Sequence, residues 1–235
     1  MNTQRLDKII STQFNVSRRE ARRDIKIGKV TVEGEIVKDF GFLTSPDANI
    51  IYCGQALEYK EHIYLIMNKP AGIISASTDK ARETVVDLVP DEFKRKGLFP
   101  VGRLDRDTTG LLLITDDGDF AHKVMAPKKQ IFKTYVAELD GEVTNEMCEE
   151  FKNGIVLADG SECQKAELIP MDNNCATIKI CEGKYHQIKR MFGVVGLGVN
   201  SLKRTAVGGL CLPEDMAEGE CKELEEVQIV TIFDN

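Results

Sequence analysis

Hydrophobic positions near the start of the chain follow a helical spacing, and further on they follow the spacing of strands. The apolar positions of a first short helix are Leu6, Ile9 and Ile10. A second helix is predicted from Arg18 to Ile27, because Ser17 and Glu20 have the spacing of a capping box. Gly28 follows, where a left-handed residue often ends a helix.

A small sheet is predicted after these helices. Val30–Val32 and the segment 35–37 flank the two-residue turn Glu33-Gly34, which is typical of a hairpin, and Ile50–Tyr52 is a third strand. Residues 1–60 are therefore expected to form a small domain of two helices and a small sheet.

The pattern after residue 60 indicates a second domain, 61–235, rich in short strands. Its predicted strands cover 63–67, 111–115, 134–139, 166–169, 176–181 and 227–232. Helices are predicted at 120–125, 144–153 and 186–195, two of them followed by Gly154 and Gly196. The fold class is α+β, with a mixed or antiparallel sheet in the second domain.

The charge of the chain is uneven, although its formal net charge is −7. The segment 213–235 holds eight acidic residues and one lysine, whereas the first 29 residues hold eight Lys or Arg and three acids. Phosphate attraction depends on the local patch because charges are screened over roughly 10 Å. The N-terminal domain is therefore the part of the chain expected to bind RNA.

Five cations of the second predicted helix are candidates for RNA binding, since they fall on one broad face and Glu20 and Asp24 neutralise few of them. They are Arg18, Arg19, Arg22, Arg23 and Lys26. A solvated basic surface helix is the alternative.

This domain also resembles the RNA-binding module named after ribosomal protein S4. The resemblance is carried by the segments 5–8, 16–21 and 28–34. It implies RNA binding and no particular chemistry.

The seven cysteines are dispersed and include no Cys-x-x-Cys pair, so neither a disulfide framework nor a zinc site is expected. The polar N-terminus predicts no signal peptide, and no stretch approaches the length of a membrane span. A cytoplasmic protein without metal or cofactor is expected.

The densest polar cluster of the second domain is the segment 102–110, Gly-Arg-Leu-Asp-Arg-Asp-Thr-Thr-Gly, which leads into an apolar strand. Loops next to buried strands often carry sites, but a capped surface turn with Arg–Asp pairs fits the spacing equally well. The segment 116–118 resembles part of a metal loop, yet no third ligand lies at a fixed offset, which favours a turn.

Together with two further segments, this loop resembles the ribosomal and large-RNA pseudouridine synthases, in particular those of the small-ribosomal-subunit type. These segments are Lys133-Thr134-Tyr135 and 182–191, and 68–72 also matches. The resemblance implies that Asp105 is the essential catalytic group, attacking the ribose C1′ or assisting cleavage of the glycosidic bond.

The same resemblance implies roles for four other residues. Tyr135 would stack on the target base and take a proton from the sugar, and Lys189 would pair with Asp105 and keep it ionised. Ile188 would form an apolar floor, and Arg103 would hold open the space that the flipped nucleotide leaves. His186 is expected to be structural.

The expected partner is ribosomal RNA, either 16S rRNA or a small-subunit assembly intermediate, and a monomer is expected. A 23S rRNA uridine, a non-catalytic ribosome-assembly factor and a glycosidase that uses Asp105 and Asp107 are the alternatives.

Overall fold

The computed structural model describes residues 3–234, which form two compact units. The first unit consists of the chain up to Ile63 together with Asp91–Leu98, and the second of Tyr64–Pro90 and the chain from Phe99 onward. Within the first unit, Lys96 Nζ donates to Ser11 Oγ at 2.8 Å and to the Val16 carbonyl oxygen at 2.7 Å. Arg95 donates to the carbonyl oxygens of Lys60 and Glu61, both at 3.0 Å. These bonds fix the segment Asp91–Leu98 to this unit.

The first unit contains two helices and short strands. They are β1 (Gln4–Arg5), α1 (Leu6–Gln13), α2 (Arg18–Lys26), β2 (Val30–Val32), β3 (Glu35–Ile36), β4 (Leu43–Thr44), β5 (Ile50–Tyr52) and β6 (Gln55–Ala56). The order β3-β2-β5-β6 forms an antiparallel four-stranded sheet, and β1 pairs with β4. The buried faces of α1 and α2 share one core with β2 and β5.

Local sequence signals of this unit are confirmed. The Ser17 side chain accepts from the Glu20 N–H at 3.1 Å, and Glu20 accepts from the Ser17 N–H at 2.8 Å, so both halves of the capping box form. Glu33 and Gly34 have φ of 52° and 84°, the left-handed pair that the predicted hairpin turn requires. Gly28, with φ of 82°, follows α2.

The second unit is built on a nine-stranded mixed sheet. Its strands are β7 (Tyr64–Lys69), β8 (Phe99–Pro100), β9 (Thr109–Thr115), β10 (Lys133–Leu139), β11 (Glu167–Pro170), β12 (Cys175–Ile180), β13 (Val199–Val207), β14 (Leu210–Cys211) and β15 (Cys221–Glu223). Its helices are α3 (Gly118–Met125), α4 (Asn145–Asn153), α5 (Gln187–Val194) and α6 (Glu226–Thr231).

The main path of the sheet is β11-β12-β10-β13-β9-β7-β15, with β14 beside β13 and β8 beside β9. All pairs are antiparallel except β13 with β9, which is parallel. The expected α+β class with a mixed sheet is therefore confirmed. No helix within residues 3–234 combines the length and the apolar character needed to cross a membrane.

One prediction in this unit is wrong, and one long strand was not predicted. The segment Val227–Ile232, expected to be a strand, lies in and directly after helix α6. Its helix begins with a capping box formed by Glu225 and Gln228, and Val227 and Val230 remain exposed on its surface. The long strand β13 was not predicted, because the first half of its sequence is polar and lacks the apolar pattern of a buried strand.

The parallel contact between β9 and β13 depends on Gly110. This residue has φ of 97°, and a Cβ placed on it would lie 2.2 Å from the carbonyl oxygen of Arg204. A side chain there would therefore collide with the backbone of β13. The glycine that ends the polar segment 102–110 thus allows the two central strands to meet.

Candidate active site

Asp105 lies in the loop between β8 and β9, and its carboxylate faces a small cavity of about 70 Å³. Its side chain is 28% exposed, so solvent reaches the carboxylate without surrounding it. The Thr108 N–H donates to the Asp105 carbonyl oxygen at 3.1 Å, which closes a turn in the loop. This turn presents the carboxylate to the cavity while the chain returns to the sheet.

A buried lysine holds this loop from behind. Lys69, at the end of β7, is fully buried, and its Nζ donates to the carbonyl oxygens of Pro70 (3.0 Å), Arg106 (3.2 Å) and Thr108 (3.0 Å). Burial lowers the pKa of Lys69 to about 8, and the charges of Asp107 and Asp105 oppose this shift. Lys69 lies in the segment 68–72 that carries the family resemblance, but its role could not be predicted from the sequence.

A second segment also braces the loop. Ser75 Oγ donates to the Leu104 carbonyl oxygen at 3.0 Å and lies 3.1 Å from the Leu104 N–H, which donates in return. The Gly72 N–H donates to the Arg106 carbonyl oxygen at 2.8 Å, and Arg106 Nε donates to the Gly72 carbonyl oxygen at 3.0 Å. These reciprocal bonds fix the backbone of the loop on both sides of Asp105.

The four other active-site residues predicted from the sequence, Tyr135, Ile188, Arg103 and Lys189, line the same cavity as Asp105. Tyr135 comes from β10 and is 8% exposed, and Ile188 comes from the first turn of α5 and is 4% exposed. Arg103, two residues before Asp105, also lines the cavity and is exposed. Three separate segments of the chain therefore converge on one pocket.

The expected pairing of Lys189 with Asp105 is wrong. Lys189 Nζ donates instead to Asp107 Oδ2 at 2.5 Å, and this contact lowers the pKa of the Asp107 carboxyl. The loop turns between the two aspartates, so that Asp107, with 71% of its side chain exposed, projects toward α5 while Asp105 stays in the cavity. Lys189 still lines the cavity through its side chain.

The imidazole of His186 approaches the Asp105 carboxylate, with its Nε2 3.6 Å from Asp105 Oδ1. His186 has φ of 48° and precedes α5, and its ring stacks on Tyr185 with the centroids 3.9 Å apart. With this left-handed backbone, His186 lines the pocket that contains Asp105. A structural role was expected for His186, and its contact with Asp105 was not predicted.

Thr108 contributes a buried polar atom that sequence analysis did not single out. The residue is fully buried, lines the cavity, and its Oγ1 has no hydrogen-bond partner among the described residues. A buried hydroxyl without a partner is costly, so this atom lowers the stability of the loop next to Asp105.

The alternatives of a carboxylate pair and a metal loop receive no support from the geometry. The ion pair with Lys189 favours the ionised form of Asp107, which makes it a poor proton donor for a glycosidase. Asp117 of the segment 116–118 caps α3, accepting from the N–H groups of Asp119 and Phe120. Within residues 3–234, no group of three or more His, Cys, Asp or Glu side chains is arranged to hold a metal ion.

The basic helix α2 is organised by buried carboxylates. Asp7 of α1 is completely buried and accepts from Arg5 Nε and Nη2 (3.1 and 3.2 Å), Arg18 Nη2 (2.9 Å) and Arg22 Nε (2.7 Å). These three arginines remain 43–50% exposed. The cluster therefore presents a net positive charge to solvent in a fixed arrangement.

The five predicted RNA-binding cations thus do not form one uncompensated face. Arg18 and Arg22 bind Asp7, and Arg23 Nε donates to the buried Asp24 at 3.1 Å. Arg19 and Lys26 are exposed, and no carboxylate of residues 3–234 pairs with them. The expectation that nearby acids neutralise little of the cluster overlooked Asp7, which precedes the helix.

Comparisons with known proteins agree with this site. Residues 63–193 match the family model described as RNA pseudouridylate synthase, and residues 4–50 match the S4 domain. The chain belongs to the RNA pseudouridylate synthase family. The part of the synthase that carries the match includes Asp105, Tyr135, Ile188 and Lys189, and the S4 domain provides RNA binding.

Relatives match the synthase over almost its whole length. An uncharacterised RNA pseudouridine synthase of Bacillus subtilis is 39% identical and covers 96% of both chains. The ribosomal small subunit pseudouridine synthase A of Escherichia coli is 38% identical and covers 97% of this chain and 99% of its own. A solved crystal structure of a pseudouridylate synthase superposes with a TM-score of 0.69 at 33% identity, covering 97% of this chain and 99% of that one.

Proposed function

We propose that the protein isomerises one specific uridine of 16S ribosomal RNA to pseudouridine, with Asp105 as the catalytic carboxylate. The observation that carries this proposal is the convergence of Asp105, Tyr135 and Ile188 on one pocket. The full-length similarity to a ribosomal small subunit pseudouridine synthase supports the choice of RNA.

The reaction requires the uridine to leave its stack and enter the pocket. Unstacking costs a few kcal/mol, so single-stranded or distorted RNA is the expected substrate. The N1–C1′ bond of the nucleotide then breaks, the uracil rotates, and a bond forms between C5 and C1′. The proton on C5 is lost and N1 gains a proton, so no redox equivalent, phosphate or cofactor is consumed.

Asp105 acts next to C1′, either as a nucleophile or by assisting departure of the base. Both routes need an ionised carboxylate at a fixed position. The braces from Lys69 and Ser75 to the backbone of this loop support that requirement. Pre-organised geometry of this kind lowers the entropic part of the barrier.

Tyr135 and Ile188 bind the flipped base in this proposal. The aromatic ring offers a stacking surface, and the apolar side chain closes the pocket from the other segment. The Tyr135 oxygen takes a proton from the sugar and returns it before the product leaves, so the ribose is unchanged overall. A phenylalanine at this position is therefore expected to bind RNA and turn over poorly.

Lys189 acts through the loop instead of through direct contact with Asp105. Its bond to Asp107 ties α5 to the loop two residues beyond the catalytic carboxylate. Arg103 is exposed and lines the pocket, where it helps to hold open the space that the flipped nucleotide vacates.

The cations of α2 anchor phosphates of the same RNA. They raise affinity more than turnover, because phosphate contacts position a nucleic acid without reading or altering its bases. The protein works as a monomer in the cytoplasm, where ribosomal RNA is made and assembled.

The test is pseudouridine mapping of both ribosomal RNAs and of small-subunit assembly intermediates after incubation with three proteins. These are the wild type, Asp105→Asn and the control Asp172→Asn, which changes an exposed carboxylate in the turn between β11 and β12. We expect one new site in 16S rRNA with the wild type and the control, and none with Asp105→Asn.

Other outcomes separate the alternatives. A new site in 23S rRNA would keep the chemistry and refute the substrate. Absence of modification in every RNA and assembly state, together with intact RNA binding, would support a non-catalytic assembly factor.

A further inference from the structure

A second and larger cavity adjoins the Asp105 pocket in the catalytic unit. Its volume is about 400 Å³, within the range of small-molecule binding sites. It shares Arg103, Tyr135 and Gly183 with the Asp105 pocket, so these three residues lie between the two spaces. The steps described above for Asp105 leave this cavity without a role.

One wall of the cavity holds a buried arginine without an acidic partner. Arg204 of β13 is 4% exposed, and its Nε donates to the Leu111 carbonyl oxygen at 2.7 Å. In the described part of the chain no carboxylate pairs with its guanidinium, whose carbon lies 6.0 Å from the centroid of the Tyr135 ring. A guanidinium has five N–H donors, so most of them are free for a ligand.

Lys133 adds a second cation on the same face. Its Nζ donates to the carbonyl oxygens of Ile131 at 2.7 Å and Val124 at 3.3 Å, which leaves one N–H. Burial, reinforced by the charge of Arg204, lowers the pKa of Lys133 to about 8. A buried arginine and a half-buried lysine that pair with no carboxylate of residues 3–234 are costly unless something else accepts their hydrogen bonds.

The remaining walls indicate what that acceptor is. They are mostly apolar, formed by Val101, Leu113, Val124, Met125 and Val207. Glu182 also lines the space, but its carboxylate is bonded to Lys184 at 3.1 Å and to Gln187 Nε2 at 2.8 Å. A phosphate would gain nothing from apolar walls, whereas a planar base would bury its faces against them and accept hydrogen bonds at its carbonyl oxygens.

From these contacts we infer that the cavity is a second nucleobase subsite, selective for a base with carbonyl oxygens, in which Arg204 and Lys133 are the donors. The inference rests on the proposed function, because it takes RNA as the ligand. Uracil fits this chemistry through O2 and O4, and adenine, which has no carbonyl oxygen, does not.

Such a base has two sources. It is either the base of a nucleotide next to the target uridine, or the target uracil itself after its N1–C1′ bond has broken. The second source would give the freed base room to rotate before the C5–C1′ bond forms. The two sources predict different effects of an altered RNA and of a narrowed cavity on binding and on the rate of conversion.

The experiment combines a narrowed cavity with altered RNA. Met125 is 45% exposed and lines this cavity only, so Met125→Trp is expected to narrow it and leave the Asp105 pocket intact. His122→Trp adds the same bulk at an exposed position of the same helix as a control. The RNA is an oligonucleotide spanning the modified uridine, with its 5′ or 3′ neighbour intact or abasic, and Kd and the single-turnover rate are both measured.

If a neighbouring base occupies the cavity, one abasic substitution should weaken RNA binding to the wild type by about tenfold or more. The same substitution should change RNA binding to Met125→Trp by less than about twofold. If the freed uracil occupies the cavity, abasic RNAs should bind the wild type as the intact RNA does. Met125→Trp should then bind the intact RNA normally but convert its uridine at least about tenfold more slowly. His122→Trp behaves as the wild type in both cases.

The inference is overturned if Met125→Trp matches the control in binding and rate and responds to abasic RNA as the wild type does. Should Met125→Trp fail to fold, Arg204→Lys replaces it; this variant keeps the charge and loses the fork of donors. Wild-type conversion of the intact oligonucleotide is measured first, so that a failure of the proposed function is distinguished from a failure of the subsite alone.

Discussion

Asp7 is the residue whose replacement most directly tests the organisation of the RNA-binding unit. Its buried carboxylate accepts four hydrogen bonds from Arg5, Arg18 and Arg22. Asp7→Asn keeps the shape, but it replaces one oxygen by an NH2 group that faces guanidinium donors. About two of the four bonds are lost.

The magnitude follows from these contacts. A hydrogen bond to a charged group contributes about 1.5 kcal/mol at the lower end of its range, so two of them give about 3 kcal/mol. The arginines are 43–50% exposed and water replaces part of this interaction, so we expect a loss of about 2–3 kcal/mol.

The assay is hydrogen exchange of the peptides that cover α1 and α2 in the full chain, because two units need not unfold as one. A loss of 2–3 kcal/mol lowers protection there by roughly 30- to 150-fold. Asp47→Asn, which removes an exposed carboxylate of the same unit, serves as the control. Unchanged protection in Asp7→Asn would refute the reasoning.

The same variant tests how the cluster binds RNA. Asp7→Asn removes one negative charge from the patch and makes its net charge more positive, so a simple count of charges predicts tighter RNA binding. If Asp7 instead orients the guanidinium groups for phosphates, RNA affinity falls although the patch is more positive. Measurement of Kd at two salt concentrations decides between these two outcomes.

The stability contribution of Asp7 also depends on pH. Burial by itself raises the pKa of this carboxyl, but hydrogen bonds from Arg5, Arg22 and Arg18 outweigh it and hold the pKa well below its usual range. A carboxyl with a lowered folded pKa stabilises the protein above its unfolded pKa of about 3.9, and this stabilisation is lost as the pH falls below that value. The protection of wild type and Asp7→Asn should therefore converge on acidification below about pH 4, whereas a constant difference would contradict the ion-pair explanation.

Four further single variants and one double variant test the catalytic unit. Thr108→Val should leave thermal stability unchanged or raise it, because the buried hydroxyl that it removes has no partner in residues 3–234. A lowered melting temperature would show that this hydroxyl has a structural role. Gly110→Ala should lower the free energy of unfolding by more than about 4 kcal/mol, since the added Cβ would lie 2.2 Å from the backbone of Arg204. Urea denaturation measures this loss, and an unchanged midpoint would contradict the contact. Lys189→Met and Asp107→Asn should each slow turnover, and the double variant should be no slower than the worse single variant; additive effects would show that the two residues act independently.

The parts of this protein that the sequence predicts well are those that depend on neighbours in the chain. The capping box of Ser17 and Glu20 and the hairpin turn at Glu33-Gly34 form as expected, because their bonds close within a few residues. The gathering of Asp105, Tyr135 and Ile188 was expected from a family resemblance, since their separation in the chain gives no local signal.

Partners and strand positions that depend on distant segments were not predictable in this way. Lys189 lies 82 residues from Asp107, and only the turn of the loop decides that it bonds to this aspartate instead of Asp105. Strand β13 is polar in its first half, so only its neighbours β9 and β10 identify it as a central strand.

The sequence by itself determined the class of the fold, the helix caps, the hairpin and the residue types needed for the chemistry, because local backbone preferences and side-chain identity are properties of short segments. Only the tertiary structure decided that Asp7 gathers three arginines, that Lys69 holds the Asp105 loop, and that Arg204 lies in a second cavity where no carboxylate of residues 3–234 pairs with it. Burial and ion pairing are set by which segments meet, and they depend on the packing of the whole chain.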